Sequence, residues 1–227
     1  MKSMKIQKTL LHDSEEVAQV TEEEILYTAE ELQKQFPRAF ERAFDQWLRA
    51  AADCGWWECE YEYFEEVGKI IGFEFSHRPA RNAKGESIRG EMELFFSLDR
   101  DRDVTFDGTY SYRPGNLAAI KKNYPDKDLI QLAEGLQELQ RKNHYGVRMR
   151  LSPRHHRGQQ VQVWDAKGME ASDELEEAAV DLVKSFRHWM LRRLEETYEH
   201  LTSVETFLEE SGNGEHLYLE TGKEFYL

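Results

Sequence analysis

The chain has 227 residues, enough for one sizeable core or two small ones, and its 12% of aromatic residues exclude a disordered acidic tail. Against 44 acidic side chains stand 30 basic ones, a formal net charge of −14. That balance opposes non-specific binding to nucleic-acid phosphates and anionic membranes and favours basic partners.

From Met1 to Leu26 the sequence reads as a weakly specified arm, strand-like or mobile, ahead of a single domain from Tyr27 to Leu227. Thr28 and Glu31 have capping-box spacing and open a short helical turn. Pro37 suits the first turn of a longer helix, whose apolar face is Phe40, Ala43, Phe44, Trp47, Leu48 and Ala51 and whose end is marked by Gly55. Between Trp56 and Phe64, Glu alternates with larger residues as in a strand. Yet Trp57, Tyr61, Phe64, Val67, Gly68 and Ile71 share a helical face that stops at Gly72, and the longer pattern favours helix.

Beyond Gly72 the period becomes two. Phe73 and Phe75 begin a strand, and Asn82 to Gly85 is a turn or hairpin tip. Met92, Leu94, Phe96 and Leu98 alternate in one strand, Asp99 to Asp103 turn, and Val104, Phe106, Gly108, Tyr110 and Tyr112 alternate in the next. Pro114-Gly115 closes that meander. Asn116 caps a short helix through Leu117 and Ile120, ended by Pro125. Asp126 caps another, with a face of Leu129, Leu132, Ala133, Leu136 and Leu139 that Gly146 ends. A second hairpin pairs Val147, Met149 and Leu151 with Val161 and Val163 across Ser152 to Gly158.

The longest helical pattern runs from Ser172 to Leu201. Leu175, Ala178, Ala179, Leu182, Val183, Phe186, Trp189, Met190, Leu194 and Leu201 recur at spacings of three and four on one face. Ser172 is the N-cap, Asp173, Glu174, Glu176 and Glu177 favour the helix N-terminus, and Arg187, Arg192 and Arg193 fall on the polar side. About thirty residues at 1.5 Å each give roughly 45 Å, enough to back a small domain. A short helix around Val204 to Leu208 follows, then a break at Ser211 to Gly214. Leu217 and Leu219 suggest an edge strand, with Thr221-Gly222 as a turn. These elements predict an α+β fold, an antiparallel sheet of hairpins packed against several helices.

Motifs for catalysis are weak. Asp101, Asp103 and Thr105 match the bare D-x-D-x-T pattern of hydrolases with an aspartate nucleophile. There the first Asp ends a buried parallel strand, whereas here both Asp residues sit in a hairpin tip. Asp99, Asp101 and Asp103 also resemble the start of a calcium loop, without its Gly and with Tyr110 where Glu is required. His155 and His156 lack a supporting ligand, and Glu196 with His200 reads as a surface pair, so no metal and no cofactor is implied. Cys54 and Cys59 are too few for a disulfide framework and fit free, buried thiols of a reducing compartment; Glu58 and Glu60 raise rather than lower a thiol pKa. Neither G-x-S-x-G nor a phosphate-cradling Gly-rich loop is present. No signal-peptide pattern and no apolar run near 18 residues occurs, so a cytoplasmic protein is expected.

Charge asymmetry is more informative. Beyond Arg193 the chain carries Glu195, Glu196, Glu199, Glu205, Glu209 and Glu210, and an earlier strip carries Glu58, Glu60, Glu62, Glu65 and Glu66. Such strips are either solvated helix faces or a polyanionic surface for a basic groove. Partner binding is therefore assigned to Glu195, Glu196, Glu199, Glu205, Glu209, Glu210, Glu58 and Glu62. One basic island opposes them: Arg141, Lys142, Arg148, Arg150, Arg154 and Arg157, with His144, His155, His156 and Tyr145. Arg148, Arg150, Arg154 and Arg157 are the alternative anion-binding set.

Several stretches, namely Tyr27 to Leu32, Trp56 to Tyr61, Phe106 to Tyr112, Leu136 to Asn143 with Tyr145, and Tyr198 to Thr202, resemble a group of phage- and mobile-element-borne bacterial proteins labelled "antitoxin of toxin–antitoxin stability system". The resemblance implies a common fold and a setting in the cytoplasm of a bacterial host, and carries over no catalytic residues. The expected function is a non-enzymatic acidic protein that binds and inhibits a basic bacterial protein, a toxin or a defence nuclease, in the manner of a nucleic-acid mimic. A homodimer is compatible with the sequence, and direct nucleic-acid binding is disfavoured. The alternatives are an enzyme acting on a nucleotide or nucleic acid, and a regulator that uses the Arg148–Arg157 hairpin.

Overall fold

A computed structural model describes residues 4–9, 21–99, 101–154, 158–212 and 216–225, with side chains from residue 25 onward. Contacts group the chain into two compact units, one of Trp57–Glu196 and one of the flanking segments up to Trp56 and from Thr197. Sequence reading from Tyr27 onward finds one domain because neither boundary is a linker. One falls between adjacent tryptophans, the other inside a helix.

In the smaller unit, β1 (Met4–Thr9) and β2 (Thr21–Leu26) form an antiparallel hairpin where an arm is expected. Helix α1 (Ala29–Gln35) carries the expected capping box: Thr28 Oγ1 accepts from Glu31 N at 3.3 Å and Glu31 Oε2 from Thr28 N at 3.1 Å. Helix α2 (Pro37–Asp53) starts at Pro37, where the missing N–H costs nothing. Its face packs on Phe207, whose ring lies 5.3–5.6 Å from those of Phe40, Phe44 and Trp47.

The larger unit begins with α3 (Trp57–Ile71), so the helical reading of the Trp56 segment holds, and Gly72 stops it at φ 110°. Then follow β3 (Phe73–Phe75), β4 (His77–Arg81), β5 (Ser87–Met92), β6 (Leu94–Ser97), β7 (Asp103–Phe106) and β8 (Gly108–Ser111). The two long alternating strands expected here are each broken, at Glu93 and at Asp107. These two residues and Ser76 form a junction: Ser76 N donates to Asp107 O, Glu93 N to Ser76 O and Asp107 N to Glu93 O, at 2.8–2.9 Å. The chain thereby leaves one sheet for another, and only glycine fits at position 108, since a Cβ there would lie 2.4 Å from Glu74 O.

Helix α4 (Asn116–Asn123) is capped by Gly115 in the left-handed conformation, not by Asn116, which is its first helical residue. Asp126 caps α5 (Lys127–Lys142) as expected, accepting from Asp128 N and Leu129 N at 2.9 Å. That helix ends at Lys142, short of Gly146, and His144 and Tyr145 take positive φ on the way to β9 (Arg148–Arg154). With β10 (Gly158–Trp164), β9 forms the expected hairpin and extends a four-stranded antiparallel sheet of order β10-β9-β8-β3. His155, His156 and Arg157 lie outside the described residues.

Helix α6 (Asp173–Leu201) matches the predicted long helix, and Ser172 Oγ accepts from Leu175 N at 3.4 Å. Leu175, Ala179, Val183, Phe186, Trp189, Met190 and Leu194 are buried, while Ala178 of the expected stripe is exposed. The Phe186 ring stacks on Phe73 at 4.7 Å and Trp189 at 5.9 Å, with Phe106 edge-on at 5.9 Å. The smaller unit closes with α7 (Val204–Ser211), β11 (Leu217–Tyr218) and β12 (Glu224–Phe225), the last two forming a hairpin where one edge strand is expected. Cys54 and Cys59 are free, as expected, but exposed: one caps α2 and the other lies on the polar side of α3. Among the described residues no helix is long and apolar enough to cross a membrane.

Because Phe186 is fully buried among four rings, Phe186→Ala leaves a cavity that neighbouring rings cannot fill. Urea unfolding is expected to show a loss of about 3–5 kcal/mol, and a loss under about 1 kcal/mol would mean the stack carries little stability.

Candidate functional site

In α3 the apolar spacing turns Phe64, Val67 and Ile71 into the core and leaves Glu58 and Glu62 exposed, one turn apart. Glu60 is buried. Its carboxylate accepts from Arg193 Nε of α6 at 2.9 Å, and the Arg193 guanidinium lies 4.8 Å from the centre of the Tyr63 ring. The hydrogen bond to Glu60 raises the Arg193 pKa further, which keeps its guanidinium charged. Glu65 is also neutralised, by Arg89 and by Lys69 at 3.0 Å, and the His77 ring lies 3.9 Å from it.

Glu58 and Glu62 differ, because neither has a partner among the described residues. They line one side of a groove of about 550 Å³ whose floor and far side include Trp57, Tyr61, Leu94 and Phe95. Phe95 is 44% exposed, an unusual state for a phenyl ring, and Glu91 stands at the same rim. Tyr61 gives its hydroxyl to Leu94 O at 3.2 Å, and burial, then the charge of Glu91, pushes its pKa up to about 12. The groove is therefore apolar at its base and mixed in charge at its edge, where Arg78 and Arg89 also line it. Arg78 lies 3.9 Å from Glu91 and 5.7 Å from the centre of the Phe95 ring, and Glu58 and Glu62 are the carboxylates left without a partner among the described residues.

The remaining predicted acidic residues do not form one class. In the larger unit Glu195 is mostly covered and accepts from Arg102 at 2.5–2.6 Å, and Glu196 lies 3.6 Å from Arg192. Arg192 itself is held by Asp128 and, at 3.3 Å, by Asp126. In the smaller unit Glu210 accepts from the Trp47 indole at 2.9 Å, while Glu199, Glu205 and Glu209 are exposed.

On β9 the alternation sends Met149 and Leu151 into the core and Arg148 and Arg150 to the outer face of the sheet. Arg148 stands directly across from Trp164 on β10 and from Ser111 on β8; Arg150 stands across from Gln162 and Thr109. A cleft of about 740 Å³ covers this face, walled by the turn Asp165–Gly168. Asp165 Oδ1 accepts from Lys167 N at 2.8 Å and Met169 N at 2.9 Å, which fixes the turn. Gly146 packs against it so closely that a Cβ there would lie 2.3 Å from the Ala166 Cβ. Arg150 donates to Asp107 at 2.7 Å, and Arg154 donates to Gln160 at 3.1 Å, outside the cleft. Trp164 and Lys167 are the residues sequence reading passes over here. The signal for Trp164 was available, since inward Val161 and Val163 place Gln162 and Trp164 outward beside the arginines.

Asp103 of the D-x-D-x-T pattern is a structural anchor: it pairs with Arg187 of α6, whose Nε also donates to Val104 O at 2.5 Å. Among the described residues no group of three or more His, Cys, Asp or Glu is placed to hold a metal ion. A family model described as "Domain of unknown function (DUF8835)" matches residues 56–204, a span that contains both the groove and the cleft. No curated protein and no solved structure matches the chain.

The raised Tyr61 pKa carries a pH signature. An unfolded tyrosine ionises near 10, the folded one near 12, so this contribution to stability is whole below about pH 10 and is lost as pH rises through about 12. Tyr61→Phe is expected to lessen the fall in urea stability between about pH 9 and pH 11.5, with part remaining from Tyr110, which burial also pushes to about 12. An unchanged fall would place Tyr61 in solvent.

Proposed function

The chain belongs to the family of the domain of unknown function DUF8835, and from that premise we propose that it is a non-enzymatic, acidic interaction protein that binds and blocks a basic bacterial protein. One observation carries the reading: the α3 groove joins an exposed phenyl ring to unpartnered carboxylates in a chain of net charge −14. An apolar anchor ringed by charge is the anatomy of a protein interface, the ring supplying affinity and the carboxylates steering a basic segment at low salt. Glu58 and Glu62 stand on successive turns of α3 with Cβ atoms about 6 Å apart, two neighbouring negative charges on one face, which supports mimicry of a polyanion.

The resemblance to phage- and mobile-element-borne proteins supports a bacterial toxin or defence nuclease as the target and the host cytoplasm as the setting. The exposed Glu199, Glu205 and Glu209 are a second acidic surface with no apolar anchor among the groove residues. The α3 groove is therefore the primary docking surface, and Glu195, already bonded to Arg102, contributes least.

Two double variants with the same change in net charge separate position from overall charge. The immobilised 227-residue chain is expected to capture a basic protein from bacterial lysate at low salt and release it as salt rises. Glu58→Lys with Glu62→Lys is expected to lower capture at least about tenfold, about 1.4 kcal/mol, while Glu205→Lys with Glu209→Lys leaves it within about twofold. Equal losses in both would reduce the effect to net charge, and undiminished capture by the first would remove the groove from the interface.

A further inference from the structure

The sheet-face cleft has the opposite chemistry from the rest of the surface. Arg148 and Lys167 are exposed cations with no ion-pair partner among the described residues, in a chain where most other arginines described above are paired. Arg150 gives one N–H to Asp107, which leaves donors of its guanidinium to the cleft. The one carboxylate in the lining, Asp165, is engaged by the backbone of its own turn. Thr109 and Ser111 add hydroxyls on the adjoining strand.

Trp164 supplies the second half of the site. Each of Trp47, Trp56, Trp57 and Trp189 has an aromatic neighbour within 6.1 Å. Trp164 has none among the described residues, although it is half-buried in the cleft wall directly across from Arg148. An indole without an aromatic neighbour among the described residues, beside guanidinium and ammonium groups without ion-pair partners, is suited to a ligand that carries both a planar ring and phosphate.

We infer that this cleft is a binding site for a nucleoside phosphate, with the base stacked on Trp164 and the phosphates held by Arg148, Arg150 and Lys167. Its volume of about 740 Å³ suits a ligand of that size. A longer strand is disfavoured on two counts. A single ring offers one stacking platform, and the next positions along the face lead to Glu74, bound to Arg113, in a chain whose net charge repels extended phosphate backbones. The turn and the Gly146–Ala166 contact hold the wall in place before any ligand arrives, which lowers the ordering cost of binding.

Titration calorimetry of the full chain at low salt with adenosine diphosphate, inorganic pyrophosphate and a ten-nucleotide oligouridine tests the site. Adenosine diphosphate is expected to bind about tenfold or more tighter than pyrophosphate, the margin expected of base stacking. Trp164→Leu is expected to reduce adenosine diphosphate to the pyrophosphate level, and Arg148→Ala to weaken both by about tenfold. Arg148 is exposed, so its variant tests the site even if Trp164→Leu fails to fold. Equal affinity for both ligands, or an undiminished affinity in Arg148→Ala, would overturn the assignment, as would no binding at all. Binding of the oligouridine alone would replace a nucleotide site by a strand-binding one. None of these outcomes depends on the α3 groove, which the variants leave intact.

Discussion

An α-helix with a wide apolar stripe has to be covered along that stripe, and in the larger unit this need organises everything else. Phe186 and Trp189 of α6 meet Phe73 and Phe106 from the strands and Phe64 from α3, so one stack of rings joins helix, sheet and second helix. Rings of this size bury large areas and fix their neighbours by shape as well as by transfer from water. Covering the stripe also carries the polar edge of α6 to the other elements. Arg187 reaches Asp103 and the β7 backbone, Arg192 reaches the cap of α5, and Arg193 reaches buried Glu60. Each guanidinium lies where the helix has been pressed against an element that already offers a carboxylate.

Those pairings decide what remains on the surface. Arginines of α6 neutralise acids at the edges of the core, and Glu65 is met by Arg89, Lys69 and the His77 imidazole. After that, Glu58 and Glu62 stand unpaired on one surface and Arg148 and Lys167 on another. Net charge alone would make the whole surface repel anions. At physiological salt, however, screening acts over about 8 Å, so a local patch of three cations governs what reaches the sheet face. A uniformly acidic protein and a small phosphate site are compatible for that reason.

Helices were the legible part of the sequence, because each rests on local chemistry: the Thr28–Glu31 box, Pro37, Asp126 and the three-four spacing from Leu175 onward. Strand alternation was legible as a pattern but not in its breaks. Nothing local marks Glu93 and Asp107 as departures; the cause is a backbone junction with Ser76, which is distant in sequence. Asn116 misled because its residue type suits a cap, yet Gly115 before it takes the left-handed conformation that starts the helix. Charge counting placed Glu58, Glu62, Glu195 and Glu210 in one acidic set, and the structure divides that set: Glu58 and Glu62 are exposed without a partner among the described residues, whereas Glu195 meets Arg102 and Glu210 meets Trp47 through tertiary contacts that the sequence does not display. Trp164 shows the reverse: its meaning was accessible from hairpin register and was obscured by reading the strand for its core residues alone.

The same junction lies between the two surfaces that the larger unit carries. Alternation in β9 separates core from cleft residue by residue, so Arg148 and Arg150 gain exposure without disturbing Met149 and Leu151. At Asp107, though, the separation ends. Its carboxylate accepts from Arg150 on the cleft side and, at 2.5 Å, from Ser76 Oγ, whose backbone carbonyl receives Glu93 N. Glu93 lies between Met92 and Leu94, which line the α3 groove. Arg150 and Asp107 thus belong partly to the fold and partly to both surfaces, and their substitution mixes the three. Arg148 and Trp164 on one side, and Glu58 and Glu62 on the other, lie outside that junction, so each surface can be altered while the strands that carry it stay in register.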